Sequence, residues 1–80
     1  MNDQTIIRRI NALMIDILEV NEEDLIPRSN FYKIGRDSLD YVWLYVQVEK
    51  TFNFKITAEE IVKVKSLADF YSYVIRNSTL

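Results

Sequence analysis

The 80-residue chain has no cysteine and no histidine, and only one glycine and one proline. Without cysteine no disulfide can staple the fold, and without cysteine or histidine the usual metal ligands are missing, so no metal site is expected. The missing histidine also removes the base that a Ser-His-Asp hydrolase needs, which argues against the enzyme class a reactive serine would otherwise suggest. No catalytic residue is expected. No run approaches the roughly 18 apolar residues of a membrane span, and Met1 to Thr5 lack the basic stretch and apolar run of a signal peptide. The expected location is therefore cytoplasmic. Ten Lys and Arg against twelve Asp and Glu give a net charge of −2, which disfavours a nucleic-acid partner because that affinity rests on clustered cations. A chain this short buries only about 60% of its unfolded surface, so residues 1–80 are read as one domain held by packing alone.

Apolar residues make up 49% of the sequence. Ile6, Ile10, Leu13, Met14, Ile17 and Leu18 recur at helical spacing, predicting an amphipathic helix that ends near Glu19 or Val20. From 21 to 37 the period fails and Pro27, Ser29, Asn30 and Gly35 supply turn chemistry, predicting a long connection in which Phe31 and Ile34 anchor the chain to the core. A second helix is predicted from Asp37 to about Phe52, with Asp37 as cap and Asp40 reaching back in a capping box. Thr57 and Glu60 repeat that arrangement ahead of Ile61, Val62 and Val64, predicting a short third helix of a turn or two. Leu67, Phe70, Tyr71, Val74 and Ile75 fit a last helix capped by Ser66. Phe52 to Ile56 alternates too briefly to build a sheet. The expected fold is an all-α four-helix bundle, three helices longer and one short, with a long loop between the first two.

The second helix carries two apolar faces. Tyr41, Leu44, Tyr45, Val48 and Phe52 fall on one side, and Leu39, Val42, Trp43 and Val46 nearly opposite. One face suits the core; the other is either wrapped by the bundle or left as a docking stripe, with docking favoured because so small a bundle struggles to cover a central helix all round. A monomer is expected, with homodimerisation through the stripe as an alternative. Ser38 opens this helix, where unpaired N–H groups and the positive end of the dipole suit a phosphate. On the Asp-Ser pair alone, Ser38 reads equally as an ordinary first-turn residue behind its cap.

The longer string Phe31-Tyr-Lys-Ile34-Gly35-Arg36-Asp37-Ser38-Leu39-Asp40, followed by Val42, Leu44, Glu49 and Phe52, resembles the attachment site of acyl carrier proteins. The resemblance runs over about residues 5 to 76. It implies the family's four-helix bundle, and it implies that a phosphopantetheinyl transferase esterifies Ser38 with 4′-phosphopantetheine from coenzyme A, with Asp37 and Leu39 as flanking motif residues. It further implies that acyl-loading and acyl-processing enzymes are the partners, met through Asp40, Val42, Val46 and Glu49 beside Leu39 and Trp43. Phe31, Ile34, Leu44, Val48, Ile56 and Ile61 become candidate walls of an acyl pocket, or ordinary core in the unloaded protein.

The sequence departs from the strongly acidic second helix of fatty-acid carriers. Trp43 and Lys50 stand at positions commonly acidic, and Lys55, Ala58 and Val62 continue the trend. The acids Glu19, Glu22, Glu23 and Asp24 gather instead at the start of the long loop. Docking is expected to rest on apolar contact through Trp43, with a dedicated partner in polyketide-like, lipid-tailoring or other specialised synthesis. An aminoacyl or peptidyl carrier, or an unmodified carrier-like subunit, are the alternatives.

Overall fold

In a computed structural model that describes all 80 residues, Asn2 begins the first helix by accepting a hydrogen bond from the Thr5 amide at 2.8 Å. Helix α1 spans Asp3–Leu18 and buries Ile6, Ile10, Met14 and Leu18, one residue per turn. It stops because Glu19 adopts the left-handed conformation (φ 55°), a position more often given to glycine. The connection that follows is more ordered than its sequence suggests. A 3₁₀ turn at Glu22–Asp24 is closed by the Asp24 carboxylate, which accepts from the Asn21 amide at 2.9 Å, and Asn30 caps a four-residue helix α2, Phe31–Ile34. One-turn helices leave no periodic signature, so the pattern of apolar residues missed both.

Helix α3, Ser38–Phe52, crosses α1 and ends at Asn53, again left-handed. A short α4, Ala58–Ile61, and the final helix α5, Leu67–Asn77, complete the chain, with α5 packed on α1. Three long helices are thus joined by short helical turns, the all-α bundle expected, with α2 as an extra turn inside the loop. Two details of capping differ from expectation. Asp37 caps α3, but Asp40 does not complete a box. At α4 the Glu60 carboxylate accepts from the Thr57 hydroxyl at 3.0 Å, not from its amide. The full box sits at α5, where Ser66 accepts from the Asp69 amide and Asp69 from the amides of Ser66 and Lys65, which hold its carboxyl below the usual range.

The long connection is fastened to the start of α5 by backbone. Phe31 N donates to Lys65 O (2.9 Å), Leu67 N to Ser29 O (3.0 Å) and Ala68 N to Pro27 O (2.7 Å), around an isolated antiparallel bridge of Asn30 with Ser66. Phe31 then enters the core completely and stacks on Phe70, centroids 4.4 Å apart and planes 17° from parallel. Both rings are fully buried with Leu44, Val48, Ile10 and Met14. Phe70→Ala should therefore unfold the loop along with the core, lowering stability by about 3–5 kcal/mol in urea titration.

Candidate functional site

Ser38 lies at the first position of α3, exposed, its hydroxyl engaged by no other residue. Asp37 fixes that end of the helix: its carboxylate accepts from the Leu39 amide at 2.9 Å and its carbonyl from the Asp40 amide at 3.1 Å. The capping carboxylate is thus occupied by backbone, and it serves to shape the turn that presents the serine.

What places this turn against the body of the protein is Tyr41, one turn into α3. Its ring is buried edge-on to Phe31 at 5.2 Å, and its hydroxyl donates to Phe31 O (2.6 Å) while accepting from Gly35 N (2.8 Å). One oxygen holds both ends of α2. Gly35 has an ordinary backbone (φ −90°), so it is needed for room and not for conformation. A Cβ there would meet Tyr41 Cε2 at 3.1 Å, Leu18 Cδ2 at 3.2 Å and the Tyr41 hydroxyl at 3.3 Å. The glycine before the serine thus allows α1, α2 and α3 to close on one another.

A cleft of about 320 Å³ begins at Ser38 and runs between α2 and α3, lined by Tyr32, Arg36, Ser38, Tyr41, Val42 and Tyr45. Tyr32 was not among the residues the sequence singled out, and Tyr45 was expected only as part of the core-facing side of the helix. Their signal was present in the five tyrosines of a short chain, and in the four-residue spacing that puts Tyr41 and Tyr45 on one side of α3.

The second helix buries the face expected of it, Tyr41, Leu44, Val48 and Phe52, with Tyr45 half-buried. The opposite stripe stays open: Leu39 is 74% exposed, Val42 58% and Trp43 56%, enough to make a contiguous apolar surface starting beside Ser38. Val46 and Asp40 are half-buried at its edge. Glu49 differs from a free recognition acid, because its carboxylate accepts from the Ile56 amide at 2.7 Å and anchors the connection to α4. The six pocket candidates separate as well. Phe31, Leu44 and Val48 are fully buried core; Ile34, Ile56 and Ile61 pack against it half-buried, and no cavity lies among the six. Ile34 instead lines an outer cleft of about 530 Å³ with Glu19, Glu23, Asp24 and Lys33.

An exposed, unengaged hydroxyl at a capped helix N-terminus, with a cleft leading from it, fits a phosphate-linked group. Comparison with known proteins points the same way. A family described as "Phosphopantetheine attachment site" matches residues 8–74. The chain is also similar to a protein named "Acyl carrier protein" from Syntrophus aciditrophicus (strain SB), at 34% identity over 77 residues, covering 94% of this chain and 96% of the relative.

Tyr41→Phe would leave Phe31 O and Gly35 N without their partner and should cost about 1–3 kcal/mol. Gly35→Ala should cost a similar amount by overpacking. Because both act on one contact, thermal melts of the double variant should show less than the sum of the two losses.

Proposed function

Since the chain belongs to the phosphopantetheine-attachment family, we propose that Ser38 bears the 4′-phosphopantetheine and that the α3 stripe beside it meets the enzymes that load and use the cargo. The protein is an acyl carrier. When bound, the cofactor supplies a terminal thiol that holds acyl groups as thioesters, and in a chain without cysteine it would be the only thiol. The observation that carries the assignment is the exposed Ser38 at the start of α3, inside the matched residues and behind its Asp37 cap.

The residues of the chain divide the work. Ser38 Oγ provides the ester oxygen, and no side chain stands by as a base, since Asp37 is committed to the Leu39 amide. The proton must therefore be taken by the transferase that attaches the arm. With the Leu39 and Asp40 amides engaged by Asp37, it is the positive end of the helix dipole that favours the phosphodiester charge at that place. The carrier delivers its cargo by tethering, which raises the local concentration of a thioester at a docked enzyme, and the chemistry on the acyl group belongs to the partner.

The docking surface supports a dedicated partner. Around Ser38, residues 36–50 hold Asp37, Asp40 and Glu49 against Arg36 and Lys50, a near-balance, while Leu39, Val42 and Trp43 offer exposed apolar area. Such a surface binds by burying an aromatic anchor more than by long-range steering. The matching enzyme would present an apolar pocket and few cations, unlike the basic patches that suit an acidic helix.

Incubation with coenzyme A and a promiscuous phosphopantetheinyl transferase should add a single phosphopantetheine increment by intact-mass spectrometry, and none to Ser38→Ala. A wild-type chain that stays unmodified beside a working control carrier would leave an unmodified interaction subunit as the reading. With the cognate loading enzyme, Trp43→Glu should lower kcat/KM by about tenfold or more with little change in salt dependence. Ordinary loading by housekeeping fatty-acid enzymes, unaltered in Trp43→Glu, would refute the dedicated partner.

A further inference from the structure

The far end of α3 carries a second cleft, of about 560 Å³, that neither the attachment site nor the apolar stripe accounts for; Val46, Glu49, Lys50, Asn53, Phe54 and Lys55 line it. Lys50 follows Trp43 by seven residues and Val46 by four, so it continues the exposed face of Leu39, Val42 and Trp43 toward the end of the helix. At about 1.5 Å per residue, the helix from Ser38 to Lys50 spans about 18 Å. One surface therefore runs the length of α3, with the serine at one end and this cleft at the other.

The charges of the cleft are uneven. Its one carboxylate, on Glu49, accepts from the Ile56 amide at 2.7 Å and is spent on the chain leading to α4. The carbonyls that end α3 would be the next groups to attract a lysine, yet Phe52 O accepts from Thr79 N at 3.1 Å and Asn53 O from the Thr79 hydroxyl at 2.7 Å. Lys50 and Lys55, both exposed, are left facing solvent. Beneath them Phe54 is half-buried, edge-on to Tyr73 with centroids 5.7 Å apart, and Val46 is half-buried as well. The cleft thus joins an apolar floor to a cationic rim.

We propose that this cleft receives an acidic side chain of the partner enzyme, a Glu or Asp set beside the apolar pocket that takes Trp43, and that Lys50 and Lys55 turn away enzymes with cationic docking patches. The proposal deepens the reading of α3 as the docking helix, on which it rests. A carboxylate is the fitting guest because the two ammonium groups come from separate elements, the last turn of α3 and the connection after it, and can close on it from two sides. The apolar floor keeps water from part of that contact, which strengthens it. A cation in the same place would meet two like charges with no free acid to offset them, so one surface admits an acidic partner and excludes a basic one. Holding both ends of α3 also fixes the partner's direction along the helix, which an apolar stripe alone leaves open.

Two measurements test this. In the first, the holo chain, made with a promiscuous transferase and checked by intact mass, is loaded by a housekeeping malonyl transferase of fatty-acid synthesis, an enzyme that serves acidic helices. Lys50→Glu/Lys55→Glu should raise kcat/KM by about tenfold or more at low salt, Lys50→Gln/Lys55→Gln by less, and the gain should fade as salt is added. No gain, or a gain indifferent to salt, would overturn the proposal, while efficient loading of the wild type would overturn the dedicated partner itself. In the second, the full ¹⁵N-labelled chain is titrated with inorganic phosphate and with two synthetic peptides that share a leucine-bearing helical face and end in Glu-Glu or Lys-Lys. The Glu peptide should shift the amide resonances of Trp43, Val46, Lys50 and Lys55 and bind about tenfold or more tightly than the Lys peptide, with the order reversed in the Glu variant. Equal binding, an order unchanged in the variant, or no binding of the Glu peptide would overturn the acidic partner, and phosphate moving Lys50 and Lys55 as far as the Glu peptide does would overturn it in favour of a free anion. If both peptides shift Trp43 alike and spare Lys50 and Lys55, the docking stripe stands and this proposal falls. A chain that gains no mass overturns attachment without touching the titration.

Discussion

The hydroxyl oxygen of Tyr41 is the point on which the presentation of Ser38 depends. It receives the Gly35 amide and gives its proton to the Phe31 carbonyl, so the short helix between those residues cannot drift relative to α3. Phe31 is in turn held in the core by its stack on Phe70, and its backbone by Lys65. The serine follows directly on this assembly. An exposed hydroxyl at a helix start is thereby given the positional certainty of a core residue, through one phenol that belongs to both.

Helix α3 carries more apolar surface than so small a domain can bury. One face, Tyr41, Leu44, Val48 and Phe52, is needed by the core; the other, Leu39, Val42 and Trp43, leaves large apolar side chains in water. Burial on all sides would require more chain than 80 residues provide. The near-absence of glycine and the lack of disulfides place the remaining demand on packing and caps. Two helices end on left-handed Glu19 and Asn53 where glycine would be easier, and α1, α3 and α5 begin on side-chain caps.

Much of this was legible in the sequence because it depends on local rules. The periods of α1, α3 and α5, the caps at Asp37 and Ser66, the two-faced second helix and the anchoring of Phe31 all follow from spacing and residue type. The reading of Ser38 as an attachment site draws on the longer motif, because an Asp-Ser pair at a helix start has too many ordinary explanations. The missing pieces are those made by contacts between distant residues. Nothing near Tyr41 in sequence reveals that its hydroxyl will close a turn six to ten residues earlier. The backbone bonds from 27–31 to 65–68 use groups that every residue possesses, so they carry no signature of composition. Asp40 completes no box, and the Asp37 carboxylate on the Leu39 amide caps that helix end alone. Glu49 looked like a surface acid because the sequence does not show that the chain returns to it at Ile56.

Helix α4 differs from the rest of the bundle in a way that bears on its motion. It buries none of its residues, and its ties are peripheral: Tyr32 to the Ile61 carbonyl, Tyr73 to the Glu60 carboxylate, and Glu49 to the approaching Ile56. The segments before and after it are moored, at Phe52 and at Val64, in the core. It is therefore a compliant panel in a rigid frame, the part of the protein whose opening costs least free energy and whose amides should exchange with solvent while the three long helices stay closed.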